Sequence, residues 1–171
     1  MTDKNCLFWR ELGVTRIEMG VQSLFDEVLL ANKRGHTVQQ AREACHLLRC
    51  YGFKLSLHIM PGLYKSTPEK DLETFKRLYT DPYFLPDEIK FYPTSVIPNT
   101  ELNTLYVQGK YKPLETKDIE KLIEKTFTDI IPPYTRIKRL IRDIPENEIV
   151  AGSKVTNLSQ LVHEKIRKSI Q

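Results

Sequence analysis

The sequence predicts an α/β fold in which a parallel sheet forms part of a TIM-like (βα) barrel. Strand-like segments alternate with amphipathic helices at intervals of about 30 to 40 residues, which is the pattern of successive βα units. The clearest strand, 14–21, ends on the polar pair Gln22-Ser23 and a helix follows at once, as at the ligand-binding edge of such barrels. Three or four strands fall short of the roughly eight in a closed barrel, so a partial barrel, its C-terminal half, is expected.

Capping signals and hydrophobic spacing define the individual elements. The predicted elements are, in order, helix 5–12, strand 14–21, helices 23–33 and 37–51, strand 54–60, helix 67–79, strand 88–94, helices 100–107 and 119–130, strand 135–141 and a basic helix at 157–170. Ser23 is expected to cap the second helix, and Thr37 with Gln40 forms a capping-box pattern for the third. Thr67 followed by Pro68 marks the start of the helix after the second strand.

Glycine and proline place the ends of several of these elements. Gly13, Gly52 and Gly109 each follow a helix, where a residue that tolerates positive φ is favoured. The helix at 119–130 carries apolar residues at helical spacing and ends before Pro132-Pro133.

Composition indicates an ordinary globular protein that is one domain by length. The 171 residues are 40% hydrophobic and 28% charged, and no apolar run approaches the roughly 18 to 20 residues that span a bilayer. The N-terminus lacks the pattern of a signal peptide, so no membrane association and a cytoplasmic location are expected. Cys6, Cys45 and Cys50 form neither CxxC nor CxxxCxxC, so the sequence predicts structural cysteines and no metal ligands.

The net charge of +4 is concentrated in the last part of the chain. Residues 1–133 hold 18 basic and 18 acidic residues, whereas residues 134–171 hold eight basic and four acidic ones. We therefore divide the chain into the half-barrel, 1–133, and a basic strand-turn-helix extension, 134–171, which is expected to meet a polyanion.

Polar residues at the ends of the first two predicted strands are candidates for ligand binding. The amide of Gln22 can both donate and accept hydrogen bonds, and Arg34 can bind a carboxylate. The alternative is that Gln22 only caps the strand and that Arg34 is solvated. His58 precedes Pro61-Gly62, where glycine permits close approach of the backbone to a ligand; the alternative is a core histidine.

The segment at 88–94 has one polar face. Lys90, Tyr92 and Thr94 alternate with apolar residues, so they point to the same side of the strand, as in a barrel lumen. The alternative to a lumen-facing surface is an ordinary strand-to-loop turn.

A basic strand follows near residue 136. Even spacing places Arg136, Lys138 and Arg142 on one face and Arg139 on the other. Such a face fits phosphate contacts, and nearby Tyr134 could stack on a base of single-stranded RNA. A solvated basic surface is the alternative.

Six ordered motifs carry a family resemblance: GVQS (20–23), RGHT (34–37), HIMPG (58–62), YPT (92–94), PPYTR (132–136) and RDIP (142–145). Together they resemble the elongator protein 3 family, the radical S-adenosylmethionine (SAM) subunit of Elongator that modifies uridine 34, the wobble position of tRNA. The resemblance implies a radical SAM barrel with a [4Fe-4S] cluster, joined to an acetyltransferase domain that uses acetyl-CoA. In that chemistry a carbon radical made from the acetyl group adds to C5 of the uridine.

The resemblance also implies roles for particular residues. SAM-contacting positions are expected at Gln22, Ser23, Arg34, His58, Gly62, Tyr92 and Thr94. RNA-contacting positions are expected at Lys90, Arg136, Lys138, Arg139 and Arg142. No catalytic residue is identified.

The sequence departs from the family in two ways. The cluster-binding cysteine motif and the acetyltransferase domain are both absent from it. The chain is therefore expected to be a fragment that is inactive alone and that pairs with the rest of the barrel, with tRNA, and with a second copy or Elongator-like subunits. The alternative function is a non-catalytic tRNA-binding or RNA-binding module descended from the enzyme.

Overall fold

A computed structural model describes residues 1–141 and 144–152, and in these ranges helices and parallel strands alternate as the sequence predicts. The elements are α1 (Asp3–Glu11), β1 (Arg16–Gln22), α2 (Asp26–Ala31), α3 (Val38–Cys50), β2 (Lys54–Ile59), α4 (Pro68–Thr80), β3 (Glu88–Phe91), α5 (Glu101–Val107), α6 (Thr116–Asp129), β4 (Arg136–Arg139) and a 3-10 turn (Glu146–Glu148). None of the described helices is long and apolar enough to cross a membrane.

The four strands form one parallel sheet in the order β1-β2-β3-β4. Because each strand lies next to its predecessor in the chain, every crossover advances in the same direction, as in a β/α barrel and unlike a doubly wound sheet. The predicted α/β fold with a partial barrel is therefore confirmed. Among the described residues β1 and β4 are the two edges of the sheet.

The two faces of the sheet differ in chemistry. Leu55, Leu57 and Ile59 alternate along β2 and are buried with Ile89 and Phe91 in the hydrophobic core beneath the helices. The intervening positions carry polar groups: Ser56 pairs in register with Glu18 of β1 and Glu88 of β3, and His58 pairs with Lys90. This second surface, called here the polar face, is the side expected to line a barrel lumen.

Several predicted capping signals are confirmed. Thr37 and Gln40 make the reciprocal capping-box bonds at the start of α3. Thr67 caps α4 with Pro68 in its first turn, and Gly52 adopts a φ of +74° just after α3.

The prediction that Ser23 caps a helix is wrong. Helix α2 begins at Asp26, and its N-cap residue, Phe25, makes no side-chain capping bond. The reason is tertiary: the Leu24 amide donates to Thr74 Oγ1 of α4 at 3.3 Å, which keeps the residues just after β1 out of the helix. Ser23 is instead buried at the end of β1.

The last two strands are shorter than the sequence predicts. β3 ends at Phe91, three residues before Thr94, and β4 covers 136–139 rather than 135–141. A register irregularity between Ile89 and Lys90 places Arg139 opposite Lys90. Arg142 and the predicted helix at 157–170 lie outside the described residues.

Candidate functional site

The carboxyl ends of β1, β2 and β3 meet at one edge of the sheet. The Met60 amide donates to Gln22 O at 2.9 Å, which ties the end of β2 to the end of β1. The Thr94 amide donates to Pro61 O, also at 2.9 Å, so the segment after β3 continues beside the segment after β2. These bonds bring the strand-end residues singled out in the sequence into one neighbourhood.

Gln22 and Arg34 are in direct contact at this edge. The Arg34 Nε donates to Gln22 Oε1 at 3.2 Å, across the turn that contains α2. Gln22 has a φ of +61°, a left-handed conformation that is costly for a residue with a side chain. Its side chain folds over Gly20, where an added Cβ would lie 2.3 Å from Gln22 Nε2. Gly20 is therefore required for this arrangement.

Two buried hydroxyls at the same edge lack partners. Within the described part of the chain, Ser23 Oγ and Thr94 Oγ1 make no hydrogen bond, although these residues are only 2% and 5% exposed. A buried hydroxyl without a partner costs about 1 to 3 kcal/mol, so a ligand that supplied the missing bonds would gain that energy.

His58 lies on the polar face, half-buried, below this edge. Its ring meets the Tyr92 ring edge-on, with centroids 5.7 Å apart. Its Nε2 is 3.4 Å from Glu18 Oε2, within ion-pair distance but without hydrogen-bond geometry. Burial lowers the pKa of His58, Lys90 lowers it further, and Glu18 opposes both. The balance of these effects favours the neutral form of His58.

Glu18 is the centre of a charged cluster that the sequence analysis missed. Its carboxylate accepts from Lys90 Nζ at 2.7 Å and from Lys138 Nζ, so it links β1 to β3 and β4 across β2. Bonds from Lys138 and Lys90 lower the pKa of Glu18 to about 2. Beside it, Arg16 pairs with the nearly buried Glu88 at 3.2 Å. The alternation of polar residues in β1 was the available signal.

Gly62 is held in place by two further residues that the sequence analysis did not identify. Its amide donates to Asp71 Oδ2 at 2.7 Å, and its carbonyl accepts from Tyr111 Oη at 2.6 Å. Gly62 has a φ of +75°, and an added Cβ would lie 2.9 Å from Leu114. Asp71 also accepts from Ser66 Oγ, and burial raises its pKa to about 6. The Asp71–Gly62–Tyr111 contact therefore fixes the loop after β2.

The predicted RNA-contacting residues are placed differently from one another. Arg136 and Arg139 are exposed on β4, at the edge of the sheet. Lys90 and Lys138 instead point to Glu18, so much of their charge is compensated within the protein.

The cysteines are consistent with a structural role. Cys6 and Cys45 are buried in the core, where burial raises the pKa of both thiols, that of Cys45 to about 12. Cys50 is exposed on α3. In residues 1–141 and 144–152 no group of three or more His, Cys, Asp or Glu side chains could hold a metal ion.

Known proteins share both the sequence and the fold of this chain. Sequence models of the radical SAM superfamily and of the radical SAM C-terminal domain match residues 1–78 and 86–168. The solved structure of an archaeal Elp3 from Methanocaldococcus infernus, with an N-terminal deletion, superposes with a TM-score of 0.91 at 39% identity. The chain is a radical SAM homologue of elongator protein 3. The structural match covers 98% of this chain and 39% of the Elp3 chain.

Curated proteins agree with this assignment. A tRNA uridine(34) acetyltransferase from Methanocaldococcus infernus is 41% identical over 158 residues, 92% of this chain and 29% of its own length. A second, from Dehalococcoides mccartyi, is 41% identical over 163 residues, 92% of this chain and 35% of its own. Elongator complex protein 3 from Bos taurus is 38% identical over 155 residues, 91% of this chain and 28% of its own. The radical SAM homologue described here thus spans about a third or less of these relatives.

Proposed function

We propose that this chain supplies one wall of the SAM pocket in an enzyme that modifies uridine 34 of tRNA. The observation that carries the proposal is the contact between Gln22 and Arg34 beside two unpartnered hydroxyls, those of Ser23 and Thr94, where three strands end. The names of the homologous tRNA uridine(34) acetyltransferases support the reaction class.

The residues at this edge fit the polar parts of SAM. In the proposal, Gln22 bonds the ribose hydroxyls, and Arg34 holds the methionine carboxylate by a charge-assisted pair. Ser23 and Thr94 gain their missing hydrogen bonds from the same ligand. In the proposal the loop at Gly62, held by Asp71 and Tyr111, flanks the adenine, while His58 and Tyr92 line the lumen side. SAM, when bound with a reduced iron-sulfur cluster, supplies radical chemistry.

The described cysteines do not fit a [4Fe-4S] cluster, which requires accessible thiolates close together. Cys6 and Cys45 are buried with raised pKa values, and Cys50 lies exposed on a helix. The cluster ligands and the acetyl-CoA site therefore belong, in this proposal, to the remainder of the intact protein. The isolated chain is accordingly inactive in SAM cleavage.

The remainder of the barrel is the partner that the open edge of β1 would pair with. Beside that edge lies a groove of about 810 Å³, whose lining includes Met19, Val21, Ala41 and Leu47. A preceding strand and its helix would cover the half-exposed side chains of Met19 and Leu47. In this proposal Arg136 and Arg139 contact the tRNA substrate. Lys90 and Lys138 face the lumen. Because tRNA is the substrate, we propose that the protein acts in the cytoplasm.

The proposal is tested by exchanging segments. This chain replaces the matching segment of the Methanocaldococcus infernus homologue, and SAM-dependent formation of 5′-deoxyadenosine is measured after reconstitution of the cluster. We expect activity in the chimera. Arg34→Ala, which loses a charge-assisted bond, should raise the KM for SAM at least tenfold, and Gln22→Ala, which loses neutral hydrogen bonds, should raise it less. Lys121→Ala, on the exposed side of α6, is the control. A folded chimera whose KM for SAM is unchanged by both site variants would exclude the assignment.

A further inference from the structure

Two loops that are far apart in the sequence form a small groove rich in lysine and tyrosine. One loop, 62–66, follows β2, and the other, 110–112, follows α5. The groove, of about 320 Å³, is lined by Tyr64, Lys65, Lys110, Tyr111 and Lys112, together with the intervening backbone. Gly62 also lines the groove and is the one lining residue shared with the proposed SAM wall; the others belong neither to that wall nor to the basic strand β4.

The buried Tyr111 holds the two loops together. Its hydroxyl donates to Gly62 O at 2.6 Å, and its ring meets the Tyr64 ring edge-on with centroids 6.3 Å apart. The Gly62 amide is fixed in turn by Asp71. The groove is therefore preorganised, so a ligand would bind without ordering either loop.

The lysines of the groove are only partly compensated. Lys112 pairs with Glu115 at 2.9 Å, but both side chains are largely exposed and the pair is weak. Among the described residues no ion pair is seen for Lys110 or Lys65, and the Lys65 ammonium lies 5.9 Å from the centre of the Tyr64 ring. Lys65 also has a φ of +69°, which costs about 1 kcal/mol in a residue with a side chain. Glycine or asparagine would fit that turn at lower cost.

We propose that this groove binds a single-stranded segment of the tRNA substrate. Lys65, Lys110 and Lys112 take successive phosphates, and the half-buried Tyr64 offers a ring on which a base stacks. Interleaved lysine and tyrosine side chains are the arrangement that binds single strands without reading their sequence. The groove opens beside the loop that holds Gly62, so an RNA strand seated here passes the proposed SAM pocket. This inference rests on the proposed function, because it takes tRNA as the substrate.

The test measures binding of this chain to a labelled tRNA transcript over a range of salt concentrations. The triple variant Lys65→Ala, Lys110→Ala, Lys112→Ala is compared with a matched control triple on α6, at Lys117, Lys121 and Lys125, which are all exposed. Loss of three phosphate contacts reduces the slope of log K against log salt by about 2 and raises Kd about tenfold or more. The control triple, with the same change in net charge, keeps the wild-type slope.

Tyr64 separates stacking from charge. Tyr64→Phe retains the affinity for a short oligouridylate, whereas Tyr64→Ala weakens it about fivefold or more, because stacking contributes about 1 to 3 kcal/mol per base. If the two lysine triples had equal effects on a folded protein, RNA binding in this groove would be contradicted, while tRNA could still be the substrate. A wild-type chain without measurable tRNA affinity would overturn both this inference and the tRNA contacts of the proposed function.

Discussion

Replacing Asp71 with asparagine should stabilise the protein at neutral pH. Asp71 is 4% exposed, and its carboxylate accepts two hydrogen bonds, from the Gly62 amide and from Ser66 Oγ. Asparagine can keep both, because its oxygen accepts from Gly62 and its NH₂ donates to Ser66 Oγ. The substitution therefore removes a buried charge without removing the hydrogen bonds that hold the loop.

The magnitude follows from the pKa of Asp71. Burial raises that pKa from 3.8 to about 6, and the raised value means that folding favours the protonated form. The resulting stability is fully present below pH 3.8 and is lost as the pH rises through about 6. A rise of about 2 in pKa corresponds to about 3 kcal/mol. Relative to wild type, Asp71→Asn should therefore gain about 3 kcal/mol in free energy of unfolding between pH 4 and pH 7.

The assay is denaturant unfolding of the two proteins at a series of pH values. Glu124→Gln, which removes a carboxylate from the exposed side of α6, controls for the change in net charge. If the free energies of unfolding of wild type and Asp71→Asn stayed parallel from pH 4 to pH 7, the reasoning would be refuted. That result would show that ionisation of Asp71 does not destabilise the folded protein.

Two other substitutions test the geometry of the site. Gly62→Ala should destabilise the protein by about 1 to 3 kcal/mol more than Gly109→Ala, because both positions have positive φ but only Gly62 faces a neighbour, Leu114, at 2.9 Å; equal losses in denaturant unfolding would contradict this. Glu18→Gln should remove a pH-dependent contribution to stability, because the pKa of Glu18 is lowered to about 2 by its lysine bonds. That contribution is present above pH 4.5 and is lost as the pH falls through about 2, so acid unfolding curves that coincide for wild type and Glu18→Gln would exclude it.

The parts of the fold that sequence could predict are those fixed by local signals. The parallel order of strands follows from alternating βα units, and the capping box at Thr37 and Gln40 lies within four residues. The cap predicted for Ser23 failed because Leu24 bonds to Thr74, 50 residues away. A local sequence pattern cannot reveal a hydrogen-bond partner, such as the Thr74 hydroxyl, that only the tertiary fold brings near.

The same distinction applies to the candidate site. Gln22, Ser23 and Arg34 come from one short stretch, and their proximity was predictable from a strand followed by a helix. Glu18 was missed because its partners, Lys90 and Lys138, lie 72 and 120 residues away along the chain. Its position in β1 showed only that it faces the polar side, and not which charges meet it there.

Asp71 and Tyr111 were missed for a related reason. Asp71 lies in the first turn of α4, where an acidic residue is already explained by the helix dipole. Its actual contacts are with the backbone of Gly62 and the hydroxyl of Ser66, which sequence patterns do not mark. Tyr111 follows a helix in a loop, where a buried aromatic residue has no periodic signal.

The most direct test of the central claim is nucleoside analysis of tRNA treated with the chimeric enzyme that contains this chain. Total nucleosides are separated by liquid chromatography and identified by mass spectrometry, with SAM and acetyl-CoA supplied and with each omitted in turn. We expect a modified uridine at position 34 that requires both compounds and that forms more slowly in the Arg34→Ala chimera at SAM concentrations below its KM. A folded chimera that forms 5′-deoxyadenosine and leaves uridine 34 unmodified would contradict the assignment to wobble-uridine modification.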